Sequence, residues 1–162
     1  MLDIYTIGAD VLRDTTVPVE AFDAELLELV ERMFETMILG KGVGLAAPQV
    51  GLNKKMFVMQ IDGEPRRVFI NPQIVETGLE LSKFEEGCLS IPGVYADLER
   101  PQQVRVQAFN ERGRRFTLDA DGFLARVIQH ELDHLNGILF TDRLPERKRE
   151  SLLAQYEKRM RA

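Results

Sequence analysis

Apolar residues recur at three- and four-residue spacing from Leu26 to Ile38, through Leu27, Val30, Met33, Phe34 and Met37. This spacing predicts a helix over 23–39 with one buried face. Asp23 is placed as its N-cap, Phe22 to staple onto Leu27, and Gly40 as its stop. The next nine positions hold Gly40, Gly42, Gly44 and Pro48, too many breakers for another helix. From 56 to 118 the period shortens to that of strands. Segments 56–61 and 67–70 flank the turn pair Asp62-Gly63, and Val104, Val106 and Ala108 alternate with polar residues. Residues 110–113 read as a hairpin loop before a strand at 115–118, and Pro72, Pro92 and Pro101 are expected strand ends. A second helix is expected over 121–136, ended by Gly137. Phe123, Leu124, Val127, Ile128, Leu132 and Leu135 occupy so much of its circumference that it should be largely buried. A third starts at Pro145 and reaches about 160, with Leu152, Leu153, Tyr156 and Met160 on one face. The pattern is α+β: short, mostly antiparallel strands around a buried helix, with helices towards both termini, in one domain over 1–162.

Composition narrows the class. At 162 residues, 44% hydrophobic and 29% charged, the chain has the make-up of a soluble globular domain with one core. No apolar run approaches the roughly 18–20 residues of a membrane span, and the opening lacks the parts of a secretory leader. One cysteine cannot form an intrachain disulfide, so a reducing cytoplasm is the expected compartment. A net charge of −5 argues against a specific DNA partner. Residues 143–162 nevertheless carry seven basic and three acidic side chains, a +4 element on a body of −9. An amphipathic helix with solvated charges explains this; so does a patch for RNA phosphates.

The chemistry lies in His130-Glu131-Leu132-Asp133-His134. Residues four apart share a helix face, so both imidazoles can bind one metal ion, with Glu131 placed to reach a water there. The chain holds only two histidines. Chance would place two such residues four apart about once in eighty, before the glutamate and the helix are counted. A catalytic site needs a third ligand. Cys88, in Glu86-Gly87-Cys88-Leu89-Ser90, is one candidate, although a lone cysteine is commonly a small buried apolar residue. Its neighbours suggest a shaped loop rather than a core strand, and Asp121, Asp133 and Asp142 remain rival ligands. The glycine segment suits either a helix stop or close backbone approach by an extended peptide. A phosphate loop is disfavoured, since no Gly-Lys-Ser/Thr follows.

Three segments in order, Gly42-Val43-Gly44-Leu45-Ala46-Ala47-Pro48-Gln49, Glu86-Gly87-Cys88-Leu89-Ser90 and Gln129-His130-Glu131-Leu132-Asp133-His134, resemble the motifs of the bacterial peptide deformylases. The resemblance spans nearly the whole chain. It implies a divalent metal, typically Fe²⁺ with Ni²⁺, Co²⁺ or Zn²⁺ as substitutes, held by Cys88, His130 and His134. It also implies removal of the formyl group from the N-terminal formylmethionine of nascent polypeptides. Glu131 would be the general base and then acid, and the Gln49 side-chain amide and the Leu89 backbone N–H the oxyanion donors. Val43, Gly44 and Gly87, with Gly42, would receive substrate backbone. Phe123 and Val127, seven and three positions before His130, are candidates for the methionine pocket. Arg126 stands where relatives often have an apolar residue and Tyr95 where some have arginine, departures that bear on the pocket rather than on the metal. A bracing Glu86–Arg100 ion pair is expected. In some relatives the C-terminal helix aids ribosome docking, which the basic tail would suit. A zinc peptidase and a metal-stabilised binding module are the competing readings. Cys88 as a thiolate ligand disfavours the first; Glu131 and Gln49, which a closed structural site does not need, disfavour the second.

Overall fold

The structure, a computed structural model, describes residues 1–161. It contains three α-helices, α1 (Ala24–Leu39), α2 (Gly122–Leu135) and α3 (Glu146–Arg161), and seven strands. The strands are β1 (Gly44–Ala46), β2 (Met56–Met59), β3 (Arg67–Thr77), β4 (Leu81–Cys88), β5 (Ile91–Pro101), β6 (Gln103–Phe109) and β7 (Arg115–Asp121). Five of them form an antiparallel sheet in the order β1-β2-β3-β6-β7, while β4 and β5 pair as a separate hairpin. The class is α+β.

Strand periodicity divides the core. Met56 and Val58 of β2 join Val30, Met33, Phe34 and Met37 of α1, whereas Phe57 and Met59 face Ala125, Ile128 and Leu135 of α2. Sandwiched between two helices, β2 is buried at every position, so it reads as a continuous apolar run. The Phe57 and Phe69 rings stack at 4.6 Å, and Phe116 meets Phe69 edge-on at 5.5 Å.

Helix α1 starts as expected: the Asp23 carboxylate accepts from the Leu26 N–H at 3.0 Å. Its buried stripe is narrower than the spacing suggests, since Leu27 and Ile38 lie exposed on its flanks. Phe22 rests its ring 6.0 Å from that of Phe109. At the helix end the positive φ falls on Lys41 rather than Gly40. Two strand expectations are corrected. Pro72 does not end β3, because it occupies a bulge: Asn71 takes φ 52° and the register with β6 shifts between Ile70 and Gln73. Pro92, likewise, lies inside β5. Residues 85–88 are not a loop but the end of β4, opposite Asp97, Ala96, Tyr95 and Ile91 of β5, a strand whose buried side chains alternate as Val94, Ala96, Leu98 and Arg100. The register breaks between Gly87 and Cys88, which re-aims the cysteine. Helix α3 docks through Tyr156 and Leu152 onto the hairpin's core, while Met160 stays exposed.

Phe69→Ala should remove the centre of the aromatic cluster and cost about 3–5 kcal/mol, measured by urea unfolding. A loss below about 1 kcal/mol would mean that this cluster is not the sheet's main support.

Candidate active site

Three elements meet at one cleft. Helix α2 supplies His130, Glu131 and His134. The end of β4 and the turn after it supply Gly87, Cys88 and Leu89. The glycine segment leading through β1 into a 3-10 turn (Ala47–Val50) supplies Gly42, Val43, Gly44 and Gln49. The cleft holds about 520 Å³, and apart from His134, deeper behind it, the expected site residues line it.

The Cys88 thiol and the two imidazoles offer ligand atoms that all lie within 4.8 Å of one another, with Cys88 Sγ 3.3 Å from His134 Nε2. The donor set fits a divalent transition metal: one soft thiolate and two imidazoles, with room on the cleft side. Burial resists ionisation of Cys88, but the charge of His134 and hydrogen bonds from His130 and His134 outweigh it and hold the thiol well below its usual range. The rival carboxylates are engaged elsewhere. Asp133 accepts from Arg100 and Arg143, Asp142 from Arg13 and the Leu139 N–H, and Asp121 from Gln102.

The imidazole of His130 is fixed from behind. Its Nδ1 lies 2.8 Å from Glu86 Oε1, as ligating histidines usually require. Glu86 in turn takes two hydrogen bonds from Arg100, at 2.6 and 3.0 Å, so the expected brace is present and bidentate. Burial would raise the Glu86 pKa; hydrogen bonds from His130 and Arg100 override it and keep the carboxyl well below the usual range. His134 differs, because its Nδ1 is buried with no partner among the described residues.

Glu131 is buried in the cleft wall with Oε1 unpartnered, and burial pushes its pKa upwards against the pull of His130 and His134. Its other oxygen presses on Gly44, where an added Cβ would come within 2.6 Å of Oε2. Glycine is needed there for close approach, not for an unusual φ. The Gln49 amide is oriented by its own ends: Oε1 accepts from the Ala46 N–H at 2.9 Å, which turns Nε2 towards Ser90 Oγ (3.2 Å) and Cys88 Sγ (3.4 Å). At the mouth the Tyr95 ring lies over Gly87, within 2.5 Å of where a Cβ would sit. Val127 is buried; Phe123 is 45% exposed at the rim, so the second helix is less enclosed than its pattern suggests.

The family model described as Polypeptide deformylase matches residues 1–150. The chain belongs to the polypeptide deformylase family. Among related proteins, the peptide deformylase of Borreliella burgdorferi is 49% identical over 148 residues, covering 91% of this chain and 90% of that one. That of Chromobacterium violaceum is 47% identical over 161 residues, covering 98% and 96%. The peptide deformylase of Legionella pneumophila superposes with a TM-score of 0.94 at 40% identity, covering 99% of this chain and 96% of that one. The one from Synechococcus elongatus, solved in complex with actinonin, gives 0.91 at 46% identity, covering 95% and 86%. The competing readings, peptidase and non-catalytic binder, give way to a hydrolase of this family.

Two residues that support the cleft's cluster were not legible in the sequence. Ser90, fully buried, holds Gln49 and donates its N–H towards Cys88 Sγ at 3.4 Å. Its place in the cysteine motif was the available signal. Arg126 does not merely shape the pocket, since it bonds to Glu86 at 2.7 Å and so reaches the histidine brace.

Gly44→Ala should displace the Glu131 carboxylate and lower turnover about 10²-fold, the cost typical of a 1 Å misplacement, while metal content measured by elemental analysis stays unchanged. Full activity in that variant would show that the Glu131–Gly44 contact is not needed.

Proposed function

We propose that deformylation of nascent polypeptides takes place in this cleft, with Cys88, His130 and His134 holding one divalent ion, Fe²⁺ by family resemblance. When bound, such an ion supplies Lewis acidity that makes water acidic enough to yield hydroxide near neutral pH. Glu131 takes the proton of the attacking water and passes it to the departing amine as the formyl C–N bond breaks, leaving formate and a free N-terminus. Gln49 Nε2 and the Leu89 N–H donate hydrogen bonds to the formyl oxygen as negative charge develops on it. Gln49 Nε2 exchanges one of its bonds to Ser90 and Cys88 for one to this oxygen, and losing such a donor typically costs about 3–4 kcal/mol. Gly42, Val43, Gly44 and Gly87 offer backbone to the extended peptide, and Val127 with Phe123 receives the methionine side chain. The exposure of Phe123 supports a pocket that is partly open at its rim.

The observation that carries this reading is the position of Glu131: a buried carboxylate oxygen with no partner, in the same cleft as a cysteine–histidine–histidine cluster. Glu131→Gln keeps the shape and removes the base. It should retain the metal and lose about 10²- to 10⁴-fold in kcat. Unchanged turnover would remove Glu131 from the mechanism.

Such substrates emerge from ribosomes in the cytoplasm, the compartment this reading assigns to the chain. Among the described residues no helix is long and apolar enough to cross a membrane. Helix α3 displays Arg147, Lys148, Lys158 and Arg161 on its exposed surface, which supports contact with ribosomal RNA phosphates. Replacing Lys148, Lys158 and Arg161 by glutamine should weaken co-sedimentation with ribosomes at low salt and leave turnover of a free peptide unchanged. Ribosome binding equal to that of the parent chain would contradict this contact.

A further inference from the structure

Arg126 lies on α2 one turn before His130, and it is only 3% exposed. Its Nη1 donates to Glu86 Oε2 at 2.7 Å and to the Leu98 carbonyl at 2.9 Å. Its Nη2 donates to the Ser82 carbonyl at 2.7 Å, and the guanidinium carbon sits 5.2 Å from the centre of the Phe84 ring. One side chain from α2 thus grips both strands of the β4–β5 hairpin and the carboxylate between them. Arg100 makes the converse link, from β5 to Glu86 and on to Asp133 of α2.

This matters because the three ligand side chains are divided between these elements. His130 and His134 are on α2, while Cys88 ends β4. At its base the hairpin continues from β3 and into β6, but its Cys88 end shares no backbone pairing with the main sheet, so that end meets α2 through side chains. Glu86 already has a bidentate cation in Arg100, so charge balance does not require a second guanidinium. Burying one costs desolvation, and an apolar side chain could line the same wall without that cost. What the second guanidinium adds is geometric. By loading Oε2 together with Arg100 Nε, it fixes the carboxylate so that Oε1 faces His130 Nδ1.

We propose that Arg126 is a positioning residue, acting through Glu86 and the hairpin carbonyls to set where Cys88 stands relative to His130 and His134. This rests on the metal reading above. The test uses the full chain loaded with Co²⁺, following thiolate-to-cobalt absorption and the rate at which a chelator removes the ion. Arg126→Gln should shift the absorption and speed release by about ten-fold or more, the scale seen when partners of metal ligands are lost. Arg126→Lys, which keeps a charge for Glu86 but cannot span both carbonyls, should fall between. If the glutamine variant does not fold, the lysine variant decides alone. Parental absorption and release in a folded variant, whatever its melting temperature, would overturn the proposal and leave Arg126 a structural residue. No thiolate absorption in the parent chain would instead overturn the metal reading itself, a result distinguishable from the first.

Discussion

Glu86 carries one negative charge into the interior and accepts four hydrogen bonds there, two from Arg100 and one each from Arg126 and His130. A buried carboxylate left unpaired would cost several kcal/mol; Arg100 supplies the pairing charge from within the hairpin, and Arg126 and His130 fill the remaining acceptor sites from α2. Two of its four hydrogen bonds come from β5 and two from α2, so completing them draws the hairpin against the helix. Asp133 repeats the arrangement one turn on, bridging Arg100 and Arg143. The apolar clusters hold α1, the sheet and α2 together. The charged chain ties the cysteine-bearing hairpin to the histidine-bearing helix.

The division of labour explains the placement of the reactive groups. Apolar packing fixes α2 against β2, which leaves its other face free for His130, Glu131 and His134. A thiolate and two imidazoles need no further carboxylate beside them, and Asp133 and Asp142 are occupied by arginine or backbone instead. Glu131 differs from Glu86 and Asp133. It has no cation of its own and faces the cleft against a glycine, an environment suited to exchanging protons rather than holding charge.

Much of this was legible in the chain because it depended on local periodicity. The face of α1, the cap at Asp23, the strands around Val106 and the paired histidines all follow from spacings of two or of three to four residues. The hairpin was not legible. In β4 the polar side chains of Ser82, Lys83, Glu85 and Glu86 break the apolar pattern, and one of them, Glu86, is buried for its charge partners rather than for hydrophobicity. A sequence marks a charged residue as surface; only the arrival of Arg100 and Arg126 from distant segments makes it core. Pro72 misled for a related reason, since a bulge tolerates a proline that a regular strand would reject. The family motifs, by contrast, pointed to Cys88 without needing the fold, although the fold is what brings it to 3.3 Å from His134.

The most direct test is anaerobic turnover of a short formyl-Met peptide by chain reloaded with Fe²⁺, following formate and peptide fragments together, with the unformylated peptide alongside. Stoichiometric release of formate with every peptide bond intact is the predicted result. Cleavage of peptide bonds, or no formate despite one bound ion per chain, would contradict the account.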